Sequence, residues 1–209
     1  SPTESKSRRR FHYSALRELP KPFWAILAVS FALTLARFSE GFLILQAQEI
    51  GIGLALLPLV LVFMNISYAA SSYQAGKLSD KLNRELVLAI GIFILIVADL
   101  IVAFSHSTGW FALGIALWGL HLGFTQGVIS AIVADHTSKD ILGTAFGFLN
   151  FSMGIATLFA SAIAGFAWDI SGPSSTFQLG ALLSTLALLL LLIAYRQYAS
   201  PLRPDESNT

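Results

Sequence analysis

The sequence predicts an all-α membrane protein, a six-transmembrane-helix bundle with both termini cytoplasmic. Three observations predict it. Hydrophobic residues make up 55% of the 209-residue chain and charged residues only 12%, against about 25% charged in a soluble domain. Mean hydropathy is accordingly high, at +0.70. Six apolar runs are long enough to span a bilayer, which takes roughly 20 residues for about 30 Å of hydrocarbon. Lys and Arg fall on alternate connections between those runs.

In chain order, residues 1–21 read as a cytoplasmic basic leader, with Lys6, Arg8, Arg9, Arg10, Arg17 and Lys21 against Glu4 and Glu18. Its first ten residues are expected to be a solvated tail, and residues 11–19 a short helix along the membrane surface. The chain opens on Ser, and no signal peptide precedes the first apolar run. It is therefore expected to begin inside a longer protein or after processing. Pro20 and Pro22 punctuate the entry to a six-helix transmembrane domain at residues 22–196.

Its spans are read at residues 23–46, 54–76, 85–105, 110–134, 142–168 and 177–195, with short connections that force neighbours antiparallel. Apart from Arg37, the basic residues lie in the leader, in residues 77–84, at Lys139, and at Arg196 and Arg203. The other connections carry none. With six crossings, the positive-inside rule puts both termini in the cytoplasm. Residues 197–209, with Pro201 and Pro204, are expected to be a disordered cytoplasmic tail.

A net charge of +1 implies no nucleic-acid partner, and the absence of Cys excludes disulfides and thiolate chemistry. No enzyme is expected, since no Ser–His or paired-carboxylate spacing stands out. No cofactor or metal is expected either, because His121 has no second His or carboxylate at ligand spacing.

Ionisable groups inside spans need a reason, since each costs a few kcal/mol at mid-bilayer. Arg37 lies about 22 Å along the first helix at about 1.5 Å per residue. Glu40 follows three residues on, so the two are expected to share a helical face and pair. Facing a polar cavity, Glu40 could exchange a proton while Arg37 tunes it. His121 shares a face with Trp118 and Thr125 and is either a packing residue or a substrate or protonation site. Asp99 lies at about the depth of Arg37, and its role stays open. Asn65, Tyr68 and Asn150 add polar groups at mid-depth, able to line a cavity or bond a neighbouring helix.

Small residues mark where helices can touch. The fifth span carries Gly143, Gly147, Asn150, Gly154, Thr157, Ser161 and Ala164 along one face. The fourth carries Gly119, Gly123 and Gly127 on the side away from His121. The sixth, rich in Leu and Ile at residues 186–193, is expected to face lipid.

One polar stretch interrupts this apolar chain: Gly76-Lys77-Leu78-Ser79-Asp80-Lys81-Leu82-Asn83-Arg84. It is similar to the Gly-x-x-x-Asp-Arg/Lys-x-Gly-Arg-Arg/Lys signature of the major facilitator superfamily. Asn83 stands where that pattern has a second Gly, and Glu85 where it has a final basic residue. The resemblance implies the C-terminal half of a twelve-helix fold, with spans one, two, four and five around a central path and three and six outside. It implies a secondary transporter working by alternating access, with a small-molecule substrate, the lipid bilayer and a missing N-terminal six-helix half (or a second copy) as partners. Arg37, Glu40, Asn65, Tyr68, His121 and Asn150 then become the candidate substrate or proton pathway. Gly76, Ser79, Asp80, Lys81 and Arg84 become the cytoplasmic motif. The alternative is a non-transporting membrane assembly or regulatory subunit.

Overall fold

A computed structural model describes residue 16 and residues 18–198. The expected leader and tail fall mostly outside these residues. The helices are α1 (Lys21–Ala36), α2 (Gly41–Glu49), α3 (Leu57–Ser79), α4 (Arg84–Ala103), α5 (Thr108–His136), α6 (Leu142–Ser171) and α7 (Pro173–Tyr198), with a 3-10 turn at Leu54–Leu56 before α3. They make six segments long and apolar enough to cross a membrane. Helices suit that solvent because each satisfies its own backbone hydrogen bonds.

The first span departs from expectation. It is two helices, α1 and α2, separated by residues 37–40, and not one continuous helix over 23–46. Arg37 ends α1 with an extended turn (φ −94°, ψ 77°), and Ser39 Oγ accepts the Gly41 N–H at 3.2 Å. A hydroxyl and a glycine together give the backbone an alternative to the helix. Arg37 and Glu40 therefore do not lie on one continuous helix, although Glu40 remains close enough to act on the Arg37 charge. Two aromatic contacts hold the break: Phe38 packs on Phe177 of α7 at 5.4 Å, and Phe42 on Trp168 of α6 at 5.7 Å.

Other boundaries shift by less. Helix α3 continues to Ser79, so Gly76, Lys77 and Ser79 are helical and only residues 80–83 turn. Gly172 alone joins α6 to α7; its φ of +84° is strained for any other residue, and its N–H closes on Trp168 O at 2.9 Å. Helix α7 runs past residue 196 to Tyr198.

The helices pack as an open arc. Its order is α3, α5, α4, α7, α1, α6, with α1 also touching α5 across the inside. Helices α3 and α6, at the two ends, are not packed together, and α5 meets α6 only sparsely. A hollow is left between them.

Candidate substrate path

Helix α3 presents two different sides. Asn65, Tyr68, Ser72 and Gly76 recur at spacings of three, four and four, so they share a face. Asn65 and Gly76 are exposed, and Tyr68 and Ser72 half-buried. The Tyr68 hydroxyl donates to Gln126 Oε1 of α5 at 3.0 Å, and Asn65 Nδ2 donates to Leu61 O at 2.8 Å. Leu59, Val62, Phe63 and Ile66, on the adjoining flank of the helix, are exposed. Large apolar side chains suit contact with lipid; amides and a phenol do not.

Helix α6 repeats the division. Gly143, Gly147, Asn150, Gly154 and Thr157 are exposed along one face. A Cβ added at Gly143 or Gly154 would meet nothing within 4 Å. Asn150 Nδ2 donates to Phe146 O at 2.9 Å, and its amide oxygen is free for another donor. Phe151, Leu158, Phe159 and Phe166 are exposed on the adjoining flank. This chain's own helices leave the small face open from Gly143 to Thr157, while Ser161 is half-buried and Ala164 buried.

The glycines of α5 behave otherwise. A Cβ at Gly119 would collide with the Met64 carbonyl oxygen of α3, and one at Gly123 with Ser71 Oγ. These two let α3 and α5 approach closely. Gly127 has open space.

The ionisable candidates separate. Glu40 is exposed at the start of α2, whereas the Nε of Arg37 is buried without a hydrogen-bond partner. His121 is fully buried, packs edge-on against Trp118 at 4.9 Å, and has no partner on either ring nitrogen. Asp99 is also fully buried, with Oδ1 accepting the Trp118 indole N–H at 3.0 Å and Oδ2 unpartnered. Gly180 of α7 makes room for it, since a Cβ there would come within 2.7 Å of Oδ2. Arg37 Nε and His121 are thus buried, whereas Asn65 and Asn150 are exposed and Tyr68 is half-buried.

At the end of the bundle where α1 begins and α7 ends, Arg84 Nη1 meets Asp135 Oδ2 at 2.7 Å, tying α4 to α5. Both are partly exposed, so the pair contributes at most about 1 kcal/mol. Asn83 Nδ2 donates to the Tyr195 hydroxyl at 3.2 Å. Asp80 and Lys81 are exposed, and Ser79 Oγ bonds back to Gly76 O at 2.8 Å. Sequence reasoning missed Gln126, Asp135 and Tyr195 as contact residues. Gln126 had a signal, being an amide deep in an apolar span. Among the described residues, no group of three or more His, Asp or Glu is placed to hold a metal.

Six apolar spans in an open arc, with polar and small residues left exposed on its two end helices, define an integral membrane protein. The chain belongs to the Major Facilitator Superfamily, whose family profile matches residues 22–208. The resemblance read from the motif and the span layout therefore holds. The chain is 36% identical over 197 residues to an uncharacterized MFS-type transporter of Methanocaldococcus jannaschii, covering 91% of this chain and 49% of that protein. It is 34% identical over 122 residues to the class B tetracycline resistance protein of Escherichia coli, covering 58% of this chain and 30% of that one. It is 22% identical over 135 residues to the quinolone resistance protein NorA of Staphylococcus aureus, covering 65% and 35%. Among solved structures, a POT family transporter superposes with a TM-score of 0.74 at 18% identity, over 90% of this chain and 40% of the other. The chain thus spans about half the length of the archaeal relative, and less of the other two.

Proposed function

We propose that this chain is the C-terminal six-helix half of a secondary active transporter that moves a small molecule by alternating access. The observation that carries the reading is the pair of small or polar faces on α3 and α6, where the other described residues leave Asn65, Gly76, Gly143, Gly147, Asn150 and Gly154 exposed. A face of amides and glycines left open to lipid would leave its polar groups unsatisfied. An N-terminal six-helix half, or a second copy, supplies the opposite wall, and the two halves rock about a site near the midplane. Half-length coverage of the archaeal relative supports this. The hollow offers amides, a phenol and hydroxyls, not rows of charge, and such a lining suits a largely apolar molecule with a few polar groups. With relatives named for tetracycline and quinolone resistance, we take the direction as efflux and the location as the bacterial inner membrane, termini in the cytoplasm. Asn65, Tyr68, Gln126 and Asn150 line the path. Exposed Glu40, beside the break in the first span, is the proton-exchanging group; Arg37 and His121 support it from behind.

The test is efflux of tetracycline-like and quinolone-like probes from vesicles, comparing this chain with the longest reading frame that contains it. Drug- and pH-gradient-dependent efflux is expected from the longer product alone, and Glu40→Gln is expected to uncouple it from the gradient. Failure of the longer product across the panel would sink the transport reading. An uphill, pH-driven Glu40→Gln variant would remove the role of Glu40.

A further inference from the structure

We propose that a cleft at the terminal end of the bundle, among α1, α4, α5 and α7, binds a primary ammonium group carried on an apolar body. The cleft encloses about 250 Å³. Its floor is apolar, built by Ile26 and Val29 of α1, Ile132 of α5 and Leu191 of α7, and its polar lining is Asn83, Glu85, His136 and Tyr195. A smaller cleft of about 140 Å³ shares Asn83, Glu85, Leu191 and Tyr195 and adds Leu86, Ala89 and Leu192. Leu86 and Leu192 are exposed, so this second space opens between α4 and α7 towards the outside of the bundle. The two clefts meet at the Asn83–Tyr195 hydrogen bond.

The polar groups select the ligand. His136 Nδ1 lies 2.9 Å from Ile132 O. A carbonyl can only accept, so Nδ1 carries the proton and Nε2 of the neutral ring is an acceptor. Asn83 gives one of its two amide N–H bonds to Tyr195, and its Oδ1 is an acceptor. Glu85, in the first turn of α4, makes no hydrogen bond or ion pair to any described residue. Glu85 is also the residue that stands where the family signature has a basic side chain. Three acceptors, one of them an anionic carboxylate, thus stand beside two remaining neutral donors, the second Asn83 N–H and the Tyr195 hydroxyl. Such a set calls for a cation with several N–H bonds, and the apolar floor calls for a hydrocarbon body. A quaternary ammonium satisfies the charge but none of the acceptors. The head group of phosphatidylethanolamine and a free lipophilic amine both carry the required chemistry. The inference stands apart from the transport reading, because every wall of the cleft belongs to this chain.

The experiment uses the full chain in phosphatidylcholine nanodiscs and measures retention of phosphatidylethanolamine against phosphatidylcholine by native mass spectrometry. In parallel, octylamine is titrated against octyltrimethylammonium. In each pair three N–H bonds of one head group are replaced by three N-methyl groups in the other. A preference for the primary ammonium of about tenfold is expected, the scale of a charge-assisted hydrogen bond. It should vanish in Glu85→Gln, which keeps the shape of the side chain. Ala25→Phe, which fills the cleft without touching its charge, should abolish binding of both amines. Glu85-dependent binding of octylamine without the lipid assigns the site to soluble amines; the reverse assigns it to the membrane. The proposal is overturned if neither probe pair shows a preference, or if Glu85→Gln keeps it.

Discussion

A carboxyl group inside the hydrocarbon costs a few kcal/mol even on mild scales, so Asp99 must be held by something. Its depth was legible in the sequence; its partner was not. Trp118 had been placed by its spacing on the face of His121, and its indole turns out to serve a carboxylate nineteen residues away on α4. Nothing in the local pattern encodes that, because the contact is made by the crossing of two helices. The asymmetry of buried hydrogen bonds gives a prediction. Trp118→Phe removes the donor and leaves both Asp99 oxygens unpartnered, which should destabilise the bundle by about 1–3 kcal/mol. The double variant Trp118→Phe with Asp99→Leu removes the orphan as well and should recover most of that loss. Thermal unfolding in detergent, followed by circular dichroism, reads both. If the single variant melts with the parent, the bond holds nothing.

At the scale of elements, the same small-residue signal had two outcomes. Gly119, Gly123 and Gly127 repeat every four residues, and so do several small residues of α6. Only Gly119 and Gly123 meet a neighbouring helix; Gly127, Gly143 and Gly154 face open space. A one-dimensional pattern reports that a backbone can be approached, not that anything approaches it. Gly119→Ala must displace the Met64 carbonyl oxygen, a backbone atom, and should cost about 1–3 kcal/mol by overpacking. Gly127→Ala meets no obstacle and should be neutral, or stabilising by up to about 1 kcal/mol from helix propensity. Equal melting temperatures for the two variants would refute a close α3–α5 approach at Gly119. The break in the first span was hidden for a related reason. Apolar residues run on both sides of Ser39 and Gly41, so hydropathy bridged a gap that backbone chemistry opens.

At the scale of the whole molecule, six spans and their approximate limits were readable because hydropathy over about twenty residues is a strong, local signal. The arc was not readable, because which helices meet depends on contacts between distant segments. Its hollow makes the last prediction. The chain contains no Cys, so single cysteines report their surroundings without background. The thiolate is the nucleophile that attacks a thiol-reactive probe, and it forms in water and not in hydrocarbon. Asn150 and Phe159 lie on the same helix, both exposed, but on the small face and the large apolar flank respectively. If the small face lines a water-filled path between two halves, Asn150→Cys in the longest reading frame should react severalfold faster with a membrane-impermeant maleimide than Phe159→Cys. A transported compound should slow the first and leave the second unchanged. Equal rates at the two positions would mean that the small face is dry, packed against a partner helix along its length. The hollow would then be a seam for assembly, and the path would have to run elsewhere.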